Sequence, residues 1–503
     1  MARNLIKMLF LFLVVSFSLL SGEPPTFGWE EDVCLTPGQN NNIAITYSSN
    51  WATTNGNNWV YCVWYRTTAN YPVIMRWWNQ ICRWSDEETV SYQPSIIFVE
   101  NDLASISSDS NNNLHFFWRG KVSPSNMYWL FYRAKLANGN YTNICSLPLK
   151  VLSGSIPNDP HLAGGKGDTA HCVFRARWDM PDRIGYAKIL PTYPEPTILD
   201  IDTISPMEWG AASCYPHIAV DKENRIHVVW QGWIQVGAIP VNIFYRMRDA
   251  NGVWRQIETL SVFPRSYANY YPRIAIDNDG NIHVVWLAYT RPDYRYRIIH
   301  RVKKPSGWSE ITIFPDTTTY YNCYHPTCAV SADNRLHIAF YTDGWGDSLN
   351  IGRIIRNPNG SWEGPDTVTN FNDNYCRLNP EIVATSEGNI HIFRMDKAIY
   401  TNNYYHIFYK RWVLSGGIEA DKKEFYEVGW KIIKEKNWLK IFHPLPIKRA
   451  AKIIFYNPLG EIKYQTEGVN NYFVIDTKKL PAGSYLLKIA APSCQGVKKI
   501  IIY

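Results

Sequence analysis

Charge is scarce in this sequence: Asp, Glu, Lys and Arg make up 19% of its 503 residues, too little for a disordered chain. The net charge is +7, yet the residues after Gly429 hold thirteen Lys and Arg against four Asp and Glu, so the long part before them is close to neutral. No basic stripe runs along that part, which argues against nucleic acid as a partner. Cys-x-x-Cys pairs, paired metal-ligand spacings, phosphate-binding glycine loops and nucleophile elbows are missing. Neither a metal nor an organic cofactor is therefore expected. No sustained 3.6-residue apolar pattern occurs, which excludes helical, ankyrin and leucine-rich repeats. After the first twenty residues no run approaches about 18 apolar residues, so no transmembrane segment is expected in the mature chain. The ten cysteines lack paired spacing. Their pairing stays open, and most are expected to be buried or free thiols.

What is present is aromatic: Phe, Trp and Tyr supply 15% of the chain, which points to a large buried core. Arg3 and Lys7 followed by the apolar run Leu9 to Leu20 read as a secretory signal, with cleavage near Gly22. The expected plan is a signal peptide over 1–22, a repeat domain over 23–415, a linker over 416–429 and a second module over 430–503.

The repeat is visible without an alignment. The motif Ile/Leu-His-apolar-apolar-aromatic places His115, His171, His227, His283, His337 and His391 in register, 54 or 56 residues apart, with Tyr61 in a seventh slot. In the clearest copies, beginning at Tyr215, Tyr271 and His325, a proline stands eleven residues before the histidine. Each copy reads as four short strands, a to d, divided by turn residues, with strand d expected to begin at a Trp. One such unit cannot bury both faces, and stacking around an axis solves that. The fold class is therefore all-β: a seven-bladed β-propeller of four-stranded blades. The seventh copy lacks a strand d, and Gly28-Trp29-Glu30-Glu31-Asp32-Val33-Cys34 has its signature. This N-terminal strand is expected to close the ring. The extra residues around Pro94 to Asp102 predict a projecting loop, and the glycine-rich third copy predicts the weakest strand register.

From Trp430 the histidine motif stops and a compact all-β pattern begins, expected as a small β-sandwich. Tyr456-Asn457-Pro458-Leu459-Gly460 and Leu480-Pro481-Ala482-Gly483-Ser484-Tyr485 fall at characteristic turns. With the terminal KKIIIY, this segment resembles the type A C-terminal sorting domain of the bacterial type IX secretion system. Its opening, Phe442-His443-Pro444-Leu445-Pro446, is shorter than that family's. The resemblance implies an address: the type IX machinery as partner, and an extracellular or outer-membrane surface location.

Six equivalent histidines cannot all be catalytic, and a strand b histidine beside a turn acid, as His227 with Asp221 or His283 with Asp277, predicts structural hydrogen bonds. The turn Asp277-Asn278-Asp279-Gly280-Asn281 resembles a calcium loop but is read as a plain hairpin, since other copies lack the ligands. Function is expected where the b-to-c and d-to-a connections gather. The candidate ligand-binding residues there are Trp178, Asp179, Trp233, Arg291, Tyr294, Trp345 and Asp347. Tyr289, Asp293 and Asp343 accompany them, and Tyr267, Tyr270, Tyr320, Tyr321, Tyr324 and Tyr375 lie on the approaches. Aromatic planes beside carboxylates and guanidiniums suit sugars, so the expected function is binding of an extracellular glycan or protein. The repeat is also similar to sialidase-type propellers, which implies a secreted glycoside hydrolase as the alternative. The Ser-x-Asp-x-Gly-x-Thr-Trp box of that family is absent, and no catalytic residue is assigned. A structural envelope protein is the third reading.

Overall fold

His227 stands on the second strand of an antiparallel sheet whose strands a to d are Ser213–Val220, Ile226–Gly232, Asn242–Arg248 and Glu258–Thr259. The turn from a to b is shaped by Asp221, whose Oδ1 accepts the backbone N–H groups of Glu223 and Arg225, with Asn224 at a φ of 63°. The same unit recurs in seven sheets, four of them with four strands and three with additional short strands. In chain order strand b of the seven blades is Val60–Arg66, Leu114–Val122, Ala170–Ala176, Ile226–Gly232, Ile282–Thr290, Leu336–Thr342 and Ile390–Ala398. Each strand a lies against strand a of the next blade, and that of blade 7 against that of blade 1. The seven strands a therefore form a closed ring around an axis.

The structure is a computed structural model. It describes residues 28–413 and 431–502, apart from 37–42, 45–49, 68–70, 80–82, 126, 149–156, 177–181, 207–211, 234–240, 263–265, 316–320, 346–347, 372–374, 399–404, 436–437, 443–450, 457–461, 469–471, 481–482 and 492–493. The expected signal peptide, its cleavage point and the linker 416–429 lie outside the described residues. Among the described residues no helix is long and apolar enough to cross a membrane.

The N-terminal strand closes the ring as expected. Gly28–Trp29 and Val33–Cys34 pair with strand c of blade 7, Tyr405–Val413, with Trp29 opposite Trp412 and Cys34 opposite Phe408. The two tryptophan rings meet edge to face at 5.3 Å, and the Arg353 guanidinium of blade 6 lies 4.7 and 4.4 Å from their centroids. Flat aromatic faces attract a cation, so the seam is covered from the neighbouring blade.

The cores lie between blades. Trp64, Trp118, Trp230 and Trp286 fill equivalent positions on strand b and are fully buried, each worth about 1.5–3 kcal/mol of hydrophobic stabilisation. Blade edges are joined by a clamp that the repeat did not reveal. Arg133 on strand c of blade 2 donates from Nε to the Thr142 carbonyl and from Nη1 to the Val90 carbonyl of the preceding blade, both at 2.8 Å. Arg246 repeats this with Arg255 and Ile204, and Arg301 with Ser309 and Leu260. Arg76 in blade 1 reaches Ser85 and, across the closing seam, the Leu35 carbonyl at 2.6 Å. The fork of the guanidinium suits two carbonyls on separate strands.

Three expectations need correction. The extra residues near Pro94 to Asp102 do not all project as a loop: Phe98–Ser108 is one strand, and strand b lengthens to pair with it as far as Val122 opposite Phe98. Phe98 is buried against Phe131 and Trp118, and the Trp118 indole donates to Asn101 at 2.8 Å, which anchors the extension. The glycine-rich third copy keeps a continuous register from His161 opposite Val173 to Gly164 opposite Ala170. A Cβ on Gly164 would stand 1.9 Å from the Ser108 carbonyl oxygen, so that glycine permits close approach of blade 2 rather than loosening the ladder. Strand d begins at its Trp only in blade 6, Trp362–Thr367; Trp254 and Trp308 make short bridges ahead of Glu258–Thr259 and Thr312–Phe314.

The eight cysteines from Cys34 to Cys376 whose side chains are described are free thiols. The C-terminal module has two antiparallel sheets, one of Lys431–Glu435, Trp438–Phe442 and Tyr472–Asp476, the other of Ile462–Gly468, Ala451–Tyr456, Gly483–Ala491 and Cys494–Ile502. Ile453, Phe455 and Ile475 are buried in it. The Asn457-Pro458-Leu459-Gly460 and Pro481-Ala482 turns lie outside the described residues.

Candidate functional site

The repeated histidines are scaffold. His227 donates from Nε2 to Asp221 at 3.1 Å and its Nδ1 meets the Tyr245 hydroxyl at 2.8 Å. His115 binds Asp109 and Tyr132, and His283 binds Asp277 and His300, in the same way. Burial of Asp221 opposes its ionisation, but the hydrogen bonds of His227 and Arg225 prevail and hold its carboxyl down at about 2. In the Asp277 turn both carboxylate oxygens are taken by the turn itself and by His283, with Asn281 bonded twice. This is the plain hairpin expected.

The proline eleven residues before five of the six histidines marks a bulge in strand a. The residue ahead of it has a left-handed φ in five blades, Asp159 at 50°, Tyr215 at 51°, Tyr271 at 52°, His325 at 43° and Asn379 at 50°, and Leu103 repeats this before Ala104 at 54°. The ladder shifts register at each point. A left-handed non-glycine residue costs on the order of 1 kcal/mol, and six in equivalent places mark a constraint built into the repeat.

These bulges set two tiers of side chains around the axis. In the inner tier stand Ser105, His161, His217, Arg273, Thr327 and Glu381, one from each of blades 2 to 7 and all buried. His161 and His217 have ring centroids 3.8 Å apart, Thr327 donates to Glu381 at 3.2 Å, and Arg273 reaches Glu381 at 3.9 Å from two blades away. Burial pushes the Glu381 carboxyl up to about 7, with Arg273 and Thr327 only partly opposing it. The outer tier, towards the b-to-c and d-to-a connections, holds the bulge residues themselves. Asn379 is buried there with neither side-chain polar atom hydrogen-bonded to a described residue.

From the outer tier a track of rings leads outward. Tyr215 meets Tyr271 at 4.9 Å, Tyr271 stacks on His325 at 4.3 Å, and His325 stacks on Tyr341 at 5.5 Å. Tyr341 then stacks on Tyr324 at 5.1 Å, Tyr324 meets Tyr296 at 5.3 Å, and Tyr296 meets Tyr289 at 5.0 Å. Tyr294, 57% exposed, ends the track 6.2 Å from Tyr289. The exposed Asp343 borders it, accepting from the Tyr324 hydroxyl and from Asn322. Around the ring from these tyrosines the mouth is charged. Arg175 contacts Asp159 at 3.2 Å and Asp182 at 3.7 Å, while Arg377 and Arg394 share Asp396.

Of the residues singled out from the sequence, Arg291 and Tyr294 come together, the guanidinium 5.8 Å from the ring. Trp345 instead turns inward, packed on Phe340 and Tyr321, with a Cβ on Gly352 placed 2.4 Å from its ring. Trp233 is half-buried where its N–H donates to the Ala212 carbonyl. Trp178, Asp179, Asp347 and Tyr320 lie outside the described residues, as do the side chains of Tyr267 and Tyr375. Sequence reasoning missed Tyr215, Tyr271, His325, Tyr296 and Tyr341. The residue before the repeated proline was the available signal for the first three.

No family model matches the chain, and no curated protein does. Among solved structures, the polysaccharide lyase Uly1 is 11% identical over 77% of this chain and 100% of its own, with a TM-score of 0.50. PorZ, an essential surface component of the type IX secretion system of Porphyromonas gingivalis, is 11% identical over 91% of this chain and 59% of its own, with a TM-score of 0.41. An α-L-arabinanase of Penicillium chrysogenum is 12% identical over 61% of this chain and 92% of its own, again with a TM-score of 0.41. The likeness to Uly1 is one of fold.

Proposed function

We propose that this protein is an exported propeller that holds an extracellular saccharide against the aromatic track at the mouth of its ring. The track from Tyr294 to Tyr215 carries the reading. A pyranose has an apolar face for stacking and a hydroxyl edge for polar partners, and Asp343, Asn379 and the Arg175 cluster supply such partners along the rim. The signal-like N-terminus and the C-terminal resemblance to a type IX sorting domain supply the address, with that secretion machinery as partner.

A second reading, a glycoside hydrolase of the sialidase-like kind, is favoured by one observation: Asp159 and Asp182 both grip Arg175, and the Tyr215 N–H donates to Asp159 at 3.3 Å. Such hydrolysis uses two carboxyl groups flanking the scissile bond. A glycan array probed with the full mature chain, with hydrolysis assays on the same sugars, separates the two. Binding that is lost in Tyr271→Ala, without turnover, is the expected result. Turnover lost in Asp159→Asn selects the hydrolase, and no binding across the array overturns the saccharide reading.

A further inference from the structure

On the opposite face from the mouth, where the a-to-b and c-to-d turns lie, blade 3 breaks the repeat twice around His171. Its register partner on strand c is Lys188. The same place is held by Ala134, Met247, Val302 and Ile355 in blades 2, 4, 5 and 6, and by Arg411 in blade 7, which is paired with Glu30. Four blades thus keep an apolar residue where blade 3 has a cation. The turn acid that binds the histidine in blades 2, 4 and 5 is also gone: Gly165 stands there, and a Cβ on it would lie 2.5 Å from Thr169 Oγ1 and 2.7 Å from His171 Nε2.

Both departures remove negative charge or add positive charge. The one carboxylate facing Lys188 across the ladder, Asp200, is taken by Arg248 at 2.6 Å. Lys188 makes no hydrogen bond or ion pair with any described residue. It lines a cavity of about 310 Å³ between blades 3 and 4, together with His171, Asp200, Arg248 and Asp249, the last paired with Arg255 at 2.7 Å. Burial, with Lys188 and then Arg248 adding to it, pushes the His171 ring down to about 3, so the histidine stays neutral beside them. One seam away, the cavity of about 450 Å³ between blades 2 and 3 has no cation in its lining, and its Asp168 is satisfied by the amides of Asn111 and Asn113.

We propose that the cavity between blades 3 and 4 is an oxyanion site, taking a carboxylate or sulfate group of the kind acidic saccharides carry, held by Lys188 and Arg248. An ammonium inside a concave polar wall whose two carboxylates, Asp200 and Asp249, are each already paired with an arginine favours an anionic occupant. Arg248 holds its fork in place over the Tyr186 ring at 5.0 Å. This site is separate from the mouth, and its occupancy does not depend on the aromatic track.

The test is calorimetric titration of the full mature protein with sodium sulfate, sodium glucuronate and glucose at fixed ionic strength. At least one anion is expected to bind with a Kd of about 1 mM or tighter. Lys188→Met should weaken that binding about tenfold or more while leaving the anion-free Tm unchanged, because blade 4 carries Met247 in the same place. Lys188→Gln serves if the methionine variant does not fold, and Tyr271→Ala should bind the anion as the native chain does. Sulfate and glucuronate binding alike indicates recognition of the oxyanion alone; a preference for glucuronate indicates that the sugar ring is read too. Absence of binding by both anions, undiminished binding in the Lys188 variants, or loss in Tyr271→Ala would each overturn the proposal.

Discussion

Arg394 holds Asp32 through two parallel hydrogen bonds, 2.8 Å from Nη1 and 2.9 Å from Nη2. It also donates from Nε to Asp396 at 2.9 Å, and its side chain is 2% exposed. In other blades its place on strand b is filled by an apolar ring, Trp118, Trp230 or Trp286. Blade 7 spends that buried position on a fork that fastens the closing strand.

Loss of that fork should open the ring first at its seam. Asp32→Ala is expected to cost about 2–3 kcal/mol in urea unfolding, since a buried guanidinium loses a charged partner. Amide exchange should speed up in Tyr405–Val413 more than in strand c of blade 4.

Tyr245→Phe should cost about 1–3 kcal/mol, because the hydroxyl that satisfies His227 Nδ1 is removed inside the core. The Asp221 partner contributes its own pH signature. Its folded carboxyl titrates at about 2, below the unfolded 3.8, so its stabilisation is complete above the unfolded value and is lost as pH falls towards 2. In Asp221→Asn that part of the acid dependence should vanish from a Tm series between pH 4 and 2.

Glu381 acts with the opposite sign. Its folded carboxyl is raised from 4.5 to about 7, so the folded state holds the proton more tightly and is favoured below pH 4.5. That advantage is lost as pH rises through 7. Relative to Glu381→Gln, the native protein should therefore lose stability between pH 4.5 and 7.5; a difference in Tm that stays constant over this window would contradict the assignment.

The length of the aromatic track predicts a dependence on chain length. Tyr294→Ala, at the exposed end, should leave monosaccharide affinity unchanged and weaken an oligosaccharide by about 1 kcal/mol, roughly fivefold. Surface plasmon resonance with a ladder of oligomers measures this directly.

Much of the fold was legible because a propeller repeats its local chemistry. The histidine, the turn acid and the proline recur at one spacing, and Trp29 carries the strand d signature far from the blade it completes. The site was less legible. Tyr294 and Arg291 were recognised as a loop pair, but Trp345 was read the same way and in fact packs on Phe340. A loop tryptophan looks alike in sequence whether it faces solvent or a neighbouring blade.

The sequence by itself determined the blade, its period and its number, since hydrophobic alternation and turn residues act over a few positions and need no distant partner. Only the tertiary structure decided which residues meet: Arg394 with Asp32, Arg273 with Glu381, and Tyr215, Tyr271 and His325 in one row. The last two join different blades, and the first joins the N-terminal strand to the blade it completes at the far end of the repeat. Stacking of the blades and closure of the ring bring them together, and a 54- or 56-residue repeat holds no record of the angle at which one blade faces the next.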